Sequence, residues 1–475
     1  MCGNALQTDW HSVLPAERCS YVLGNPPFLG KSNQSAAQKA DMQLVCEDIK
    51  NAGLLDFVAA WYIKAARYLD NRTEQNRTEQ LYQQSQTKCA FVSTNSITQG
   101  EQVGVLWAWM LAQGVKIHFA HRPFSWSNEA RGKAAVHCVI VGFGLQEVAD
   151  KTIYEYEDIK GEPHAVKANN INPYLVDALN VILPSRTNPI SPVPPIVFGS
   201  MANDGGNLLL DDSEKDAILK ECPQAEKWIK PFLGADEFIN NRCRWCLWLV
   251  DCPPSELRLL PPILARIEAV KEIRNASSRP ATKELALTPA LFGEIRQPKS
   301  TYLLVPRHSS ERRSIIPIGF LSPDVIVGDA NLCILNAGLY HFGVMTSSMH
   351  MAWVKYVCGR IKSDYRYTNG IVYNNFPWPA LQANNHALLE ACAQAVLDAR
   401  AAHPNASLAD LYDPLTMPAN LLKAHQALDK AVDAAYGYKG ANTDAARVAF
   451  LFERYQQLTS LLPVEKAKKT AKKSK

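Results

Sequence analysis

The chain has 475 residues, of which 47% are hydrophobic, which is enough for two to four domains that each bury a core. Its 50 basic and 46 acidic side chains leave a net charge of +4, too small to indicate nucleic-acid binding by itself. The 12 cysteines without a paired framework, a start without a signal-peptide pattern and interrupted apolar runs exclude a disulfide scaffold and a membrane protein. We therefore expect a cytoplasmic protein without a membrane span.

The first part of the chain alternates short β-rich runs with helical stretches, which predicts an α/β layered sheet. Strands are predicted at residues 21–23, 89–93, 116–120 and 137–142, and helices at residues 54–69 and 103–111. The segment between the last two strands is too short and polar for a crossover helix. We therefore expect these two strands to pair antiparallel at a sheet edge.

The rest of the chain changes character three times. A proline-rich stretch at residues 169–195 indicates a boundary, after which strands at residues 244–250 and 302–305 and a basic helix at residues 262–274 predict a separate α+β unit. Ala- and Leu-rich helices follow at residues 386–402 and 418–436. The predicted organisation is an α/β domain at 1–150, a connecting segment at 151–200, an α+β domain at 201–380, a helical domain at 381–465 and a basic, disordered tail at 466–475.

The tetrapeptide Asn25-Pro26-Pro27-Phe28 follows the first predicted strand, so it lies at the carboxyl edge where open α/β sheets bind ligands. The exocyclic amine of adenine is a poor nucleophile because its lone pair is delocalised into the ring. The side-chain oxygen of Asn25 and the carbonyl of Pro26, restricted by consecutive prolines, could accept hydrogen bonds from both amine hydrogens. Phe28 could stack on a base rotated out of the duplex.

A proline turn that ends the strand, with Phe28 in the core, explains the tetrapeptide equally well when it is taken alone. Its neighbours favour the chemical interpretation. The stretches GNALQTDW, YVLGNPPFLG, LLDFVAAWYIKAA, AFVSTNSITQGEQV and FSWSNEARGKAAVHCVIVGFG begin at residues 3, 21, 54, 90 and 124. In this order they resemble the motifs of the amino-methyltransferases, and more narrowly those of the MmeI-like bifunctional restriction-modification methyltransferases.

This resemblance implies a partial class I, Rossmann-like methyltransferase domain, a target-recognition domain and a C-terminal helical region. It implies adenine-N6 methylation of double-stranded DNA with S-adenosylmethionine as the cofactor, although the same tetrapeptide chemistry could serve cytosine N4. Asn4 is the candidate cofactor contact, with a strand-end turn residue as the alternative. Phe124 and Trp126 are the candidates for stacking on the flipped base, and packing of one of them under the sheet edge is the alternative.

Two basic clusters lie in segments that resemble the family's target-recognition domain, RHSSERRSIIPIGF and GRIKSDYRYTNGIVYNNFPWP. Their candidate DNA-binding residues are Arg307, Arg312, Arg313, Arg360, Lys362 and Arg366. Without the resemblance, a solvated surface would be the better interpretation. Cys243 and Cys246 form one CxxC without a second ligand pair at zinc spacing, which predicts a reduced pair in a strand and no metal site.

The chain departs from the family in two respects. No Gly-rich strand-to-helix turn precedes Asn4, so the pocket for the methionine part of the cofactor is unaccounted for. The family's N-terminal nuclease, with its metal site, is also absent from these residues. We expect either a fragment of a longer reading frame or a split enzyme whose cofactor half is an upstream-encoded polypeptide. The alternative function is a non-catalytic DNA-binding specificity module.

Overall fold

The computed structural model describes residues 2–70, 86–126, 136–380 and 383–460, with the backbone alone at residues 126, 136, 383 and 384. The contacts divide the chain into two compact units. The first unit comprises Met1–Arg186, Asn374–Pro377 and Gly440–Lys475, and the second comprises Thr187–Tyr373 and Trp378–Lys439. The predicted basic tail at 466–475 lies outside the described residues.

The first unit is the predicted α/β sheet with helices. Its strands are β1 (Tyr21–Gly24), β2 (Lys88–Thr94), β3 (Lys116–Trp126), β4 (Val136–Gly144), β5 (Lys151–Glu155) and β6 (His164–Ala168). Its helices include α1 (Trp10–Val13), α2 (Ala36–Val45), α3 (Ala59–Leu69) and α4 (Glu101–Ala112). The predicted strands and the second predicted helix are confirmed. The first predicted helix begins at Ala59 instead of residue 54, because Ala52–Leu54 form a 3-10 turn and Leu55 is extended.

The described strands lie in the order β1-β2-β4-β3-β5-β6. Strands β1 and β2 run parallel, and β3 and β4 pair antiparallel, as predicted. The predicted edge position of this pair is wrong, because β4 also pairs with β2 and β3 also pairs with β5. Strands β5 and β6 lie in the segment 151–200, which was predicted to be a connection. They extend the sheet, and their short polar alternation explains why the apolar pattern did not reveal them.

Helix α3 packs on one face of this sheet through its aromatic residues. The ring of Tyr62 stacks on Phe143, with centroids 5.3 Å apart, and meets Phe91 edge-on at 5.2 Å. The hydroxyl of Tyr62 lies 2.8 Å from Ser93 Oγ, so its polar end is satisfied inside the core. Burial of each such ring contributes about 1.5–3 kcal/mol. This packing fixes β2 and β4 against the helix.

The second unit combines three small sheets with helices, as an α+β unit does. Its strands are β7 (Ile196–Phe198), β8 (Leu209–Leu210), β9 (Ile229–Leu233), β10 (Trp245–Leu247), β11 (Tyr302–Pro306), β12 (His308–Ser309), β13 (Gly319–Leu321), β14 (Ile326–Val327), β15 (Asn331–Leu335), β16 (Arg360–Ile361) and β17 (Asp364–Arg366). The sheets of the described residues have the orders β14-β9-β10-β8, β13-β11-β15-β7 and β12-β17-β16.

The helices of the remaining chain are α5 (Asp212–Glu221), α6 (Ala235–Asn240), α7 (Pro254–Leu257), α8 (Pro261–Ala276), α9 (Pro280–Glu284), α10 (Leu339–Met345), α11 (Ser348–Val357), α12 (Ala383–Ala401), α13 (Leu408–Leu411), α14 (Ala419–Tyr436) and α15 (Asp444–Thr459). Helices α8, α12 and α14 confirm the predicted helices, and the other described helices of the remaining chain were not predicted. Helix α15 packs in the first unit, where the ring of Phe452 contacts Tyr174 at 5.1 Å. Among the described helices, none is both long and apolar enough to cross a bilayer.

Candidate active site

The tetrapeptide Asn25–Phe28 leaves the sheet at the end of β1, as predicted. Gly24 is opposite Phe91 of the parallel strand β2. Asn25 and Pro27 are exposed, Pro26 is buried and Phe28 is half-buried. Among the described residues, the Asn25 side chain has no hydrogen-bonding partner and the Phe28 ring has no aromatic neighbour. The side-chain oxygen of Asn25 and the exposed part of the Phe28 ring are therefore available to contact another molecule.

The segment directly after Phe28 is held by residues that precede helix α3. The backbone N–H of Lys31 donates to Asp56 Oδ1 at 2.9 Å, and the N–H of Phe57 donates to the carbonyl of Leu29 at 2.9 Å. Asp56 Oδ2 accepts from Ser96 Oγ at 2.6 Å. Asp56 thus joins the chain that leaves β1 to the chain that leaves β2. Sequence reasoning missed its role, and its only signal was its place in one of the family-like stretches.

The end of β2 adds a second polar group at the same edge. Asn95 is buried, and its Oδ1 accepts a hydrogen bond from Thr98 Oγ1 at 2.8 Å. Its Nδ2 is buried without a hydrogen-bonding partner among the described residues. Buried donors are rarely left unpaired in proteins, so this amide is available to donate to a bound molecule at the same edge. The polar residues that follow strand β2 in the sequence were the signal that could have indicated Asn95 as a site residue.

Strands β3 and β5 bring an aromatic cluster to this edge, because both run parallel to β1 and β2. The ring of Phe124 stacks on Tyr156, with centroids 5.3 Å apart and planes 22° apart. His121 stacks on Tyr154 at 4.2 Å, and its Nδ1 lies 2.8 Å from the Tyr156 hydroxyl. Burial lowers the pKa of His121, which favours the neutral ring.

The two predicted base-stacking residues differ in what the structure reveals. Phe124 packs into the cluster on Tyr156, which is the packing that the alternative interpretation describes. Trp126 is the last residue of β3, and its side chain lies outside the described residues, as does the rest of the motif at 127–135. A role of either ring in base stacking therefore stays a prediction.

Asn4, the predicted cofactor contact, organises a turn. Its Nδ2 donates to Asp41 Oδ2 at 2.9 Å, and its Oδ1 accepts from the N–H of Leu6 at 3.0 Å. Asp41 Oδ1 also accepts from Gln7 Nε2 at 2.8 Å, so a buried carboxylate on α2 holds both amides. The Asn4 amide therefore has partners at both of its polar atoms, which fits the turn-residue alternative.

Two of the predicted DNA-binding arginines are held within the second unit. The guanidinium of Arg307 lies 4.8 Å from the centroid of the Phe198 ring and donates from Nη1 to the carbonyl of Asp329 at 3.0 Å. Arg360 lies 4.3 Å from the centroid of Tyr365 and donates from Nη1 to the carbonyl of Ser363 at 2.7 Å. Both arginines are half-buried, and these contacts tie their guanidinium groups to neighbouring loops.

The other predicted cations are more accessible. Arg312, Lys362 and Arg366 are exposed, and Arg313 is half-buried. Lys362 lies in the turn of the β16–β17 hairpin with φ of 56°, in the left-handed region that non-glycine residues rarely adopt. The N–H of Glu311 donates to Asp364 Oδ1 at 3.2 Å, so the loop of Arg312 is attached to this hairpin. The two basic clusters of the sequence are therefore neighbours in the structure.

The CxxC pair does not form a metal site with other described residues. Cys243 and Cys246 are both free thiols, and no group of three His, Cys, Asp or Glu side chains in the described part of the chain is arranged to hold a metal ion. Cys246 lies in β10, where burial raises its pKa and keeps it protonated. Cys243 precedes the strand and is exposed.

Comparison with known proteins gives matches along nearly the whole chain. Residues 1–155 match the DNA-methyltransferase domain of MmeI, residues 177–380 match its target recognition domain and residues 381–463 match its C-terminal domain. The chain is 39% identical over 461 residues to DNA methyltransferase A of Bacillus subtilis (strain 168), which covers 96% of the chain and 50% of that relative.

A solved structure of the Type IIL restriction-modification enzyme MmeI in complex with DNA is also similar. It matches with a TM-score of 0.88 and 52% sequence identity, over 97% of this chain and 60% of that chain. The chain thus spans about half the length of the curated relative and 60% of the solved structure. The similarity extends over both compact units.

Proposed function

This chain belongs to the MmeI family, and on that premise we propose that it captures the target base and reads the DNA for a site-specific adenine-N6 methyltransferase of a restriction-modification system. The observation that carries the proposal is the exposed Asn25 amide at the carboxyl end of β1, which has no partner among the described residues. An exposed amide oxygen is available to another molecule, and capture of an amine requires an acceptor of this kind.

The chain's own residues bind and orient the amine. Asn25 Oδ1 and the carbonyl of Pro26 accept hydrogen bonds from its two hydrogens, which localises the lone pair on N6 and makes it a better nucleophile. Phe28 stacks on the base, which has to leave the duplex because its N6 is otherwise enclosed by the neighbouring stacked pairs. Half-burial of Phe28 leaves a face for that contact.

S-adenosylmethionine is the methyl donor of this proposal. Its proposed contact, Asn4, is engaged by Asp41 and Leu6 through both polar atoms of its amide.

An upstream-encoded polypeptide that carries the Gly-rich loop is the proposed partner. Among the described strands β1 pairs only with β2, so its other edge is open. Tyr21 and Leu23 on β1 are 65% and 74% exposed, and they line a cavity of about 650 Å³ together with Phe119 and Gly142. The open edge of β1 is a site for pairing with another strand. Side chains of a strand point to the faces of its sheet, so Tyr21 and Leu23 mark an apolar face that a further element can cover.

Double-stranded DNA is the proposed substrate, read by the second unit. Arg312, Lys362 and Arg366 present exposed cationic groups around the β16–β17 hairpin, where they could contact phosphates and guanine edges. Arg313 is half-buried beside them and contributes a further donor. The bound sequence depends on docking geometry.

The test is transfer of labelled methyl from S-adenosylmethionine to mixed-sequence duplex DNA, by this chain alone and with the upstream-encoded polypeptide added. We expect label on N6 of adenine when the partner is present. Asn25→Ala should remove most of the turnover and spare DNA binding, because it removes an acceptor that acts on the reacting amine. Asn275→Ala, an exposed asparagine on α8, is the matched control.

A non-catalytic DNA-binding specificity module is the second candidate function. The observations that favour it are the exposed cations of the second unit and the engagement of the Asn4 amide, the predicted cofactor contact, by Asp41 and Leu6. DNA binding without methyl transfer, even when the partner is supplied, would support this function. Full methyl transfer by the Asn25→Ala variant would instead contradict the assignment of Asn25 as an acceptor for the target amine.

A further inference from the structure

We propose that Asp56 is a positioning residue that holds the loop Asn25–Phe28 in the orientation that captures the target base. This inference rests on the proposed function, because it assigns a task to a residue that does not touch the base. Asp56 lies between two strand ends in the first unit, where it makes three hydrogen bonds to three different segments.

The first of these bonds restrains the loop itself. Asp56 Oδ1 accepts from the N–H of Lys31 at 2.9 Å, and the neighbouring Phe57 N–H donates to the carbonyl of Leu29 at 2.9 Å. Gln34 Nε2 donates to the carbonyl of Leu55 at 3.2 Å, so a third contact joins the same two segments. Three residues of extended chain span at most about 11 Å, so an anchor at Lys31 limits where Phe28 can lie.

The other two bonds attach Asp56 to the rest of the sheet edge. Its Oδ2 accepts from Ser96 Oγ at 2.6 Å, and Ser96 is the second residue after β2. Its backbone N–H donates to Gln102 Oε1 at 2.9 Å, on helix α4. The carboxylate therefore links the end of β2 to the loop that follows β1, and the backbone of Asp56 links the same place to α4. Hydrogen bonds to a carboxylate are stronger than those between neutral groups.

Both oxygens of the side chain accept hydrogen bonds at once. Alanine removes the acceptors for the Lys31 N–H and the Ser96 hydroxyl together. Asparagine keeps one oxygen for the Lys31 N–H, and its amide can donate to Ser96 Oγ because that hydroxyl can turn towards Thr94 Oγ1, 2.9 Å away. Asparagine should therefore rescue what alanine loses.

The place of Asp56 in the chain allows its positioning role to be distinguished from a role in core packing. Asp56 precedes α3, and the core contacts of the helix come from later residues such as Tyr62 and Ile63. Loss of the carboxylate should therefore loosen the loop and leave the sheet folded.

The experiment measures hydrogen exchange and methyl transfer in the same proteins. Asp56→Ala, Asp56→Asn and the control Asp48→Ala, a partly exposed aspartate of the first unit, are compared with the unchanged chain. Exchange in residues 25–33 is followed in the chain alone, and single-turnover transfer is followed with the upstream-encoded polypeptide. A duplex with 2-aminopurine at the target position reports capture of the base independently of transfer.

We expect Asp56→Ala to exchange faster at residues 25–33 and to lose transfer and 2-aminopurine fluorescence on the order of 10–100-fold, with an unchanged melting temperature. Asp56→Asn should recover most of the loss. Unchanged hydrogen exchange at residues 25–33 in Asp56→Ala would overturn the inference. Equal losses of methyl transfer in Asp56→Ala and Asp56→Asn, accompanied by unfolding, would also overturn it. If the unchanged enzyme transfers no methyl, the proposed function fails, and the exchange data still decide whether Asp56 holds the loop.

Discussion

Gly24 packs directly against the ring of Phe91 at the point where β1 gives way to the candidate site. A Cβ at Gly24 would lie 3.0 Å from Cδ1 and 3.1 Å from Cε1 of that ring. Gly24 and Phe91 are also register partners across the parallel pair β1–β2. Asn25 therefore follows a residue at which there is no space for a side chain.

The substitution Gly24→Ala should move the strand end or the ring by a few tenths of an ångström. We expect a loss of about 1–3 kcal/mol in the free energy of unfolding and a larger loss in methyl transfer, because Asn25 moves with Gly24. Urea unfolding and transfer assays measure the two effects. Gly53→Ala is the control, since nothing lies within 4 Å of a Cβ there. Equal behaviour of the two variants would contradict the prediction.

Arg274→Lys should destabilise the second unit strongly. Arg274 is fully buried on α8, and its guanidinium donates to the backbone carbonyls of Ala202, Asn203, Leu285, Thr288 and Leu291. Lysine has three donors on one atom and leaves carbonyls unpaired, so we expect a loss of more than about 3 kcal/mol. Chemical unfolding measures it, with the exposed Arg258→Lys as the control. A small loss would imply that the loops rearrange freely.

Alanine at the exposed cations should weaken DNA binding without unfolding the protein. For Arg312, Lys362 and Arg366 we expect the slope of log affinity against log salt to fall by about 1 for each lost phosphate contact. Alanine at Arg307 or Arg360, which hold backbone carbonyls, should lower the melting temperature instead. Anisotropy titrations at several salt concentrations and thermal unfolding separate the two groups. An unchanged salt slope for all three exposed cations would contradict their role in binding.

Acid should destabilise the second unit through two buried histidines. Burial lowers the pKa of His350 and of His425 from about 6.5 to about 3, so the folded state binds fewer protons than the unfolded state between these values. Stability should therefore be complete above pH 6.5 and fall as the pH is lowered, by up to about 2 kcal/mol for each histidine at pH 5. Urea unfolding at pH 7 and 5 measures this change.

A substitution tests the assignment of that pH dependence. His425→Gln should remove about half of the change between pH 7 and 5, because glutamine does not titrate and His350 still does. His403→Gln, at a partly exposed position, should leave the change as it is. The same pH dependence in both variants would assign the acid effect to other groups.

The sequence alone determined the local elements and the place of the tetrapeptide. The strands from β1 to β4 and the helices α4, α8, α12 and α14 follow from the spacing of apolar residues, which is a local property of the chain. The position of Asn25 after β1 follows in the same way. Strand β5 escaped this reasoning because its short, mostly polar pattern carries little signal.

Only the tertiary structure decided which polar groups are free and which are engaged. Asn4 and Arg307 look as available in the sequence as Asn25 and Arg366, yet the first two are bonded to other segments and the last two are exposed. The partners are far away in the chain: Asp56 meets Ser96 across 40 residues, and Arg274 meets Asn203 across 71. Hydrophobic periodicity depends on neighbours in sequence, whereas a hydrogen bond depends on which distant segments the packed core brings within about 3 Å.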